Sequence, residues 1–297
     1  MKSTSTFISI LFVLFATNVF SQVSGNSIIG QNNAYNQYDR AQPVSRIYLS
    51  DSSFLIQANI LTNVIADNYV GTFGVSESAV TLREANTKID KRIQEFTAAL
   101  TKTGIAQSDI YVDMVTQTQI CDYKVTGDFA QQYISGFEQK KNVIVKFRNI
   151  RDLDKMMILA SDNGIYDLAK VDYIVTDINK IYMQLFETAI DVINSKKDLY
   201  IKATNMKITT NSEIFLESFS SFYPPQLYKT YAPNITTEYF DYSSYAKKKE
   251  LKKNSTYYYD KLSYSGFDRV INPIVTEPAV EFVLMLQIKY NIEKSKK

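Results

Sequence analysis

The sequence predicts an α+β fold: a mixed, mainly antiparallel sheet built on a split βαβ unit, with helices packed on one face. Two observations predict it. Between Ile65 and Val175 the residue periodicity indicates strand, helix, strand, strand, helix and strand, which is the order of a split βαβ unit. From Val280 to Ile292 every second residue is apolar, which predicts a final strand with one fully buried face.

The first half of the unit follows from local signals. Val44–Ile56 and Ile65–Val75 are rich in β-branched and aromatic residues, which favours two strands. A serine at position 76 or 78 is expected to cap the next helix, because hydroxyl side chains accept the free N–H groups of a first turn. Apolar residues then recur every three or four positions until Thr103-Gly104 ends the helix.

The second half begins with a predicted hairpin. Asp109–Tyr123 and Ile134–Arg148 are two β-rich runs, and a polar loop containing Gly127 joins them. Asn149 is expected to cap a short helix, and Ile165–Val175 then resembles a strand. The three strands and one helix of this half complete the split unit.

The chain after the split unit departs from its pattern. Asp177 predicts the cap of a long helix that reaches about Asn205, and Met206–Phe219 is strand-like. Residues 222–277 contain ten of the 22 tyrosines and four of the six prolines, a shift in composition that favours a long inserted loop or subdomain before the last strand. A short helix is expected near Tyr245–Lys253.

The N-terminus predicts a cleaved signal peptide. Lys2 supplies a positive charge, and Phe7–Ala16 is an apolar run too short to span a bilayer. Such a peptide directs export, here to the periplasm or the outer membrane with an extracellular location as the alternative, and is expected to be cleaved between Ser21 and Gln22. No transmembrane span is expected. The predicted organisation is a signal peptide at 1–21, a mobile leader at 22–43, one domain at 44–293 with an insertion at about 222–277, and a basic tail at 294–297.

The composition excludes several kinds of site. The chain has no histidine, no tryptophan and one cysteine, so it cannot hold a Ser-His-Asp triad, a Cys-His pair or a histidine-ligated haem. Cys121 lies in an apparent strand and is expected to be a small buried hydrophobe. We expect no metal and no cofactor, and a net charge of +2 offers no reason to expect a nucleic-acid partner.

Acidic residues provide one remote enzymatic alternative. Glu213 and Glu217 share parity on a predicted strand, so both carboxylates are expected on one face, as a carboxylate-based hydrolase would need. A solvated strand face explains the same pattern. We therefore predict no catalytic residues and no enzymatic activity.

The insertion holds the candidate interaction surface. Five lysines within seven residues make a local positive field that suits an anionic envelope glycan or lipid, although such a cluster also serves solubility. Tyrosines provide large contact areas at low entropic cost. The candidate surface comprises Tyr239, Tyr242, Tyr245, Lys247, Lys248, Lys249, Lys252, Lys253, Tyr257, Tyr258 and Tyr259.

Turn glycines and strand motifs occur together in a recognisable order. Gly71–Val75 reads G-x-x-G-V, Thr103-Gly104-Ile105 leads to Asp109-Ile110, and Tyr133–Asn149 precedes a short helix that ends at Asn163-Gly164-Ile165. This order resembles the SIMPL domain family over residues 44–211 and 273–293. The resemblance implies an exported bacterial protein similar to periplasmic immunogenic proteins, one of which assembles into a large channel-like oligomer. It implies no catalytic residues.

These observations favour an exported, non-catalytic scaffold or interaction protein of the cell envelope that forms homo-oligomers. The alternative is an envelope module that binds glycan or lipid through the tyrosine- and lysine-rich insertion.

Overall fold

The computed structural model describes residues 47–50, 52–231 and 256–293. The chain forms two compact units: a larger one of residues 33–229 and 259–297, and a smaller one of residues 1–32 and 230–258. The described residues belong mostly to the larger unit. The predicted signal peptide, the leader, the basic tail and the short helix near residues 245–253 lie outside the described residues.

The α+β prediction is confirmed. In chain order the strands are β1 Ile47–Leu49, β2 Ser53–Val64, β3 Asn68–Ala79, β4 Ile110–Thr126, β5 Phe129–Phe147, β6 Asp167–Ile174, β7 Ile208–Phe222, β8 Tyr228–Tyr231, β9 Thr256–Tyr259, β10 Arg269–Ile271 and β11 Val280–Ile292. The helices are α1 Leu82–Lys102, α2 Asp152–Asp162, α3 Ile178–Thr204 and α4 Pro224–Leu227, with a 3₁₀ turn at Gln107–Asp109.

The split βαβ unit forms its own sheet. Its strand order is β4-β5-β3-β6, and every neighbouring pair is antiparallel. The β4–β5 hairpin lies at one side of this split-unit sheet, with β4 at the edge, whereas β3 is central. Helices α1 and α2 cover one face, where Phe73 of β3 meets Phe96 of α1 edge to face at 5.3 Å.

The last strand completes a second sheet, which the sequence did not predict as separate. In this β11 sheet the order is β1-β2-β11-β7, and β10 adds a parallel pairing on β2. Helix α3 covers one face of this sheet, and Phe54, Phe282 and Leu185 are fully buried between the helix and the sheet. As expected, β11 lies between strands that precede the insertion. A separate two-stranded sheet consists of β8 and β9.

Local signals placed one long helix correctly and misplaced the start of another. Asp177 caps α3 as predicted, accepting the backbone N–H of Lys180 at 2.9 Å. Thr81, and not Ser76 or Ser78, caps α1, because β3 continues to Ala79 and takes both serines into the sheet. The predicted first strand is likewise two strands, β1 and β2, which pair as an antiparallel hairpin.

Candidate interaction surface

The β4–β5 hairpin extends well beyond the sheet that anchors it. Pairing between β3 and β5 ends at Ala79 and Phe137, whereas β4 and β5 remain paired as far as Thr126 and Phe129. We call this two-stranded extension, residues 120–136, the arm. Strand β4 ends at Thr126 and β5 begins at Phe129, so both strands are longer than the sequence predicts. The loop between them has two residues.

The tip of the arm is a tight turn. Gly127 has a φ of 62°, and Asp128 does not have a positive φ. Positive φ at the first central position alone is the geometry of a type II′ turn, whose twist matches the twist of paired strands. Gly127 is suited to this position because it carries no Cβ.

Exposed apolar side chains lie on both faces of the arm. Phe129 is 81% exposed, Val125 is 72% exposed and Tyr123 is 62% exposed. Cross-strand partners share a face, so the register assigns each residue to one side. One face carries Cys121, Tyr123, Val125, Ala130, Gln132 and Ile134 and has no charge. The other carries Asp122, Lys124, Thr126, Phe129, Gln131 and Tyr133.

The outer edge of β4 is open along its length. Within the described ranges, β4 pairs only with β5, so half of the backbone N–H and C=O groups of β4 face away from the sheet. A two-stranded hairpin is marginally stable alone in water, and exposed apolar patches on such an element mark interaction sites. An open strand edge adds a template for pairing with another chain.

Cys121 lies on the arm and is exposed. The expectation that it is buried is therefore wrong. Its strand continues beyond the last β3–β5 pair, so neither helix of the split unit covers that position.

The other sheet edges differ from β4 in chemistry. Strand β6 is short and carries Asp167, Lys170 and Asp172 on its eight residues, a pattern that discourages pairing with another chain. Strand β7 exposes Ile214, Phe215 and Leu216 around a bulge at Phe215. The bulge interrupts the ladder there, whereas the pairing of the arm is continuous from Cys121 to Thr126.

The predicted tyrosine and lysine surface is described only at its end. Tyr239, Tyr242, Tyr245, Lys247, Lys248, Lys249, Lys252 and Lys253 lie outside the described residues. Tyr257 is exposed, whereas Tyr259 is half-buried. The Tyr259 hydroxyl lies 2.9 Å from Oε1 of Glu281 and 3.1 Å from the carbonyl oxygen of Ala279. The surface remains a prediction.

Glu281 on β11 is a buried carboxylate that accepts hydrogen bonds from a neighbouring segment of the chain. It accepts hydrogen bonds from the Tyr259 hydroxyl and from the backbone N–H of Leu262 at 3.0 Å. Burial raises the pKa of Glu281, and the hydrogen bonds from Leu262 and Tyr259 oppose that rise. These contacts hold residues 259–262 against β11. Sequence periodicity could not predict them, because Glu281 is at a position of the strand that the alternation assigns to the polar face.

The paired carboxylates are separated in the fold. Glu213 lies opposite Lys289 and contacts its Nζ at 2.6 Å, whereas Glu217 lies opposite Leu286 and accepts the Tyr182 hydroxyl. Lys289 and Leu286 are three positions apart on β11, so their side chains lie on opposite faces of the sheet. The two glutamates opposite them therefore also lie on opposite faces. The prediction that they share a face is wrong, because the bulge at Phe215 adds one residue between them.

The remaining chemistry of the described ranges is sparse. A cleft of about 540 Å³ at the end of β2 is lined by Asn63–Ile65 and Asn272–Glu277, where Glu277 is the only ionisable residue. No group of three His, Cys, Asp or Glu side chains in the described part of the chain could hold a metal. None of the helices described is both long and apolar enough to span a membrane.

Comparison with known families gives one match. A family model named SIMPL, described as a protein of unknown function (DUF541), matches residues 58–248. The match begins in β2 and includes the whole split unit and the arm. No curated protein matches the chain.

Proposed function

The chain belongs to the SIMPL family, and from this premise we propose that it is an exported, non-catalytic scaffold or interaction protein of the cell envelope that self-associates through its arm. The arm carries the proposal: it presents apolar side chains on two faces and an open strand edge, and none of these contributes to the core of the larger unit. The N-terminal pattern of positive charge, apolar run and small residues supports export.

The proposal assigns no catalytic step to the chain. The absence of histidine removes the commonest general base, and the bulge in β7 separates the acids that a hydrolase would bring together. We therefore assign the function to an interaction surface of the larger unit, and specifically to the arm.

The test is the mass of the mature protein, residues 22–297, by light scattering across a concentration series. We expect a discrete oligomer. Changing Tyr123→Thr and Phe129→Thr together should raise the concentration needed for assembly by at least about tenfold, because each change removes an apolar contact worth roughly 1 kcal/mol or more.

A matched control keeps this test specific. Ile158 is 61% exposed and Leu199 is 66% exposed, and both lie on helices outside the arm. Changing both to glutamine should leave assembly unchanged. A monodisperse monomer at high concentration, or equal effects of the two double variants, would contradict the proposal.

The exposed Tyr257 and the lysine cluster favour a second candidate, an envelope module that binds anionic glycan or lipid. Removal of residues 232–255 tests it, because this deletion keeps both strands of the β8–β9 pair. Retention on cell-envelope fractions should then be lost. Unchanged retention would reject this candidate without affecting the first.

A further inference from the structure

We infer that two copies of the chain pair edge to edge through β4 of the arm, antiparallel, with a two-fold axis at Tyr123. The inference rests on the proposed self-association and specifies its surface, its symmetry and its register. The occupant of the open edge is thus a second copy of this chain.

The turn determines which backbone groups face outward. A two-residue turn is closed by a hydrogen bond between its flanking residues, here Thr126 and Phe129, and ladder bonds then alternate along the strand. Lys124 and Asp122 therefore bond to β5, whereas the N–H and C=O groups of the odd-numbered residues from 121 to 125 face the open edge.

A side chain already occupies one of these outward groups. The backbone N–H of Tyr123 donates to Oδ1 of Asp122 at 2.8 Å, which confirms that this N–H does not bond to β5. In the paired state the N–H of Tyr123 donates to the carbonyl of Tyr123 in the second copy. Asp122 is then released for a new partner.

The charges of the arm are self-complementary about Tyr123. With the axis there, Asp122 lies directly opposite Lys124 of the second copy, and the same pair forms a second time by symmetry. Residues 120–126 of each copy overlap, and within this stretch Asp122 and Lys124 are the only charged residues. Opposite charges across neighbouring strands stabilise a sheet, and every charge in the overlap has a partner.

Neighbouring registers lack this match. An axis at Asp122 or at Lys124 puts two like charges directly opposite each other, which destabilises the pair. An axis at Cys121 places Asp122 opposite Ile120 and leaves its charge unmatched. An axis between two residues would align outward backbone groups with groups that already bond to β5.

A two-fold interface requires one patch to complement itself, and this edge does so. The residues whose backbone groups face the open edge also place apolar side chains opposite each other. Tyr123 lies opposite Tyr123 of the second copy, and Cys121 lies opposite Val125 of the second copy. Pairing converts a two-stranded arm into a four-stranded sheet, and three or more strands with an apolar face are the usual requirement for a stable sheet.

Disulfide trapping tests the register. In the Cys121→Ser background, Tyr123→Cys places one thiol from each copy at the axis, where opposed Cα atoms lie about 5.5 Å apart. That spacing fits a disulfide, so copper–phenanthroline should convert most of the protein to a covalent dimer. The wild-type chain is the control. Its Cys121 thiols lie four positions apart, roughly 13 Å along the strand, and should not form a disulfide.

Charge reversal provides a second measurement that does not depend on oxidation. Asp122→Lys should weaken self-association by about tenfold, because it sets two lysine pairs opposite each other. Adding Lys124→Asp should restore it, and circular dichroism should be unchanged in both. An oligomer without trapping at position 123 and without rescue by reversal would overturn the register while leaving self-association intact. A monomeric wild-type chain would overturn both.

Discussion

Strands β11 and β4 are both long and rich in apolar residues, yet the fold uses them in opposite ways. Strand β11 has 13 residues, lies between β2 and β7 and is covered by α3. Strand β4 has 17 residues and is exposed over most of its length, and its single neighbour among the described strands is β5. The difference shows that neighbours decide burial here. Apolar content alone does not, because Phe282 of β11 is fully buried whereas Tyr123 of β4 is 62% exposed.

This contrast separates stability from interaction. Residues of β11 contribute to the core that holds the larger unit together, so their loss should be measured in unfolding. Residues of the arm lie outside both core clusters of the described residues, so their loss should be measured in assembly. Three substitutions test this division.

The largest effect is expected from removal of an aromatic ring on β11. Phe282 is fully buried and stacks on Phe219 with ring centres 5.8 Å apart. Phe282→Ala should lower the free energy of unfolding by about 3–5 kcal/mol, whereas Phe129→Ala should change it by less than about 0.5 kcal/mol. Urea unfolding, at a concentration where light scattering shows a monomer, measures both. Similar losses of unfolding free energy for the two substitutions would contradict the difference between β11 and the arm.

The second effect tests a buried ion pair beside the β11 sheet. Lys196 of α3 lies 2.8 Å from Asp268 and 2.6 Å from the carbonyl oxygen of Gln57, and the two charged side chains are only 15% and 5% exposed. Lys196→Met should cost about 3 kcal/mol, because it removes a cation 2.8 Å from a largely buried carboxylate. Lys155→Met removes an exposed pair with Asp152 and should cost less than about 0.5 kcal/mol in the same unfolding measurement. A larger loss from the surface pair would contradict this assignment.

The smallest effect concerns the pH dependence of Glu281. Its pKa is raised in the folded chain, chiefly by burial, so the folded state holds the proton to a higher pH than the unfolded state. The associated stabilisation is complete below the ordinary glutamate pKa and is lost as pH rises through the raised value. Relative to Glu281→Gln, the wild type should thus lose about 1.4 kcal/mol for each unit of difference between the two pKa values. Unfolding measured from pH 4 to 8 checks this. A stability difference that is constant with pH would show that Glu281 titrates normally.

Much of the fold was predictable because its signals are local. The end of α1, the extent of α3 with its cap at Asp177, and the whole of β11 follow from periodicity and capping chemistry within a few turns of chain. The order of elements in the split unit followed from the same signals. The family resemblance, built on turn glycines in that order, is confirmed by the family match.

The candidate site was less predictable because it depends on where pairing stops. Tyr123 and Phe129 resemble ordinary strand residues, and only the end of β3 at Ala79 leaves them exposed. The available signal was strand propensity, because Phe129 and Tyr133, which favour strands, come before the predicted start of β5 at Ile134. The sequence directed attention instead to the tyrosine-rich insertion, most of which lies outside the described residues.

From the sequence alone come the α+β class, the order of helices and strands within the split βαβ unit, and the exclusion of histidine-based chemistry. Only strand pairing in the fold separates the two main sheets of the described residues, puts a bulge between Glu213 and Glu217, and extends the arm with Cys121 exposed. The physical reason is that periodicity and caps act over a few residues, whereas strand pairing joins residues far apart in the chain.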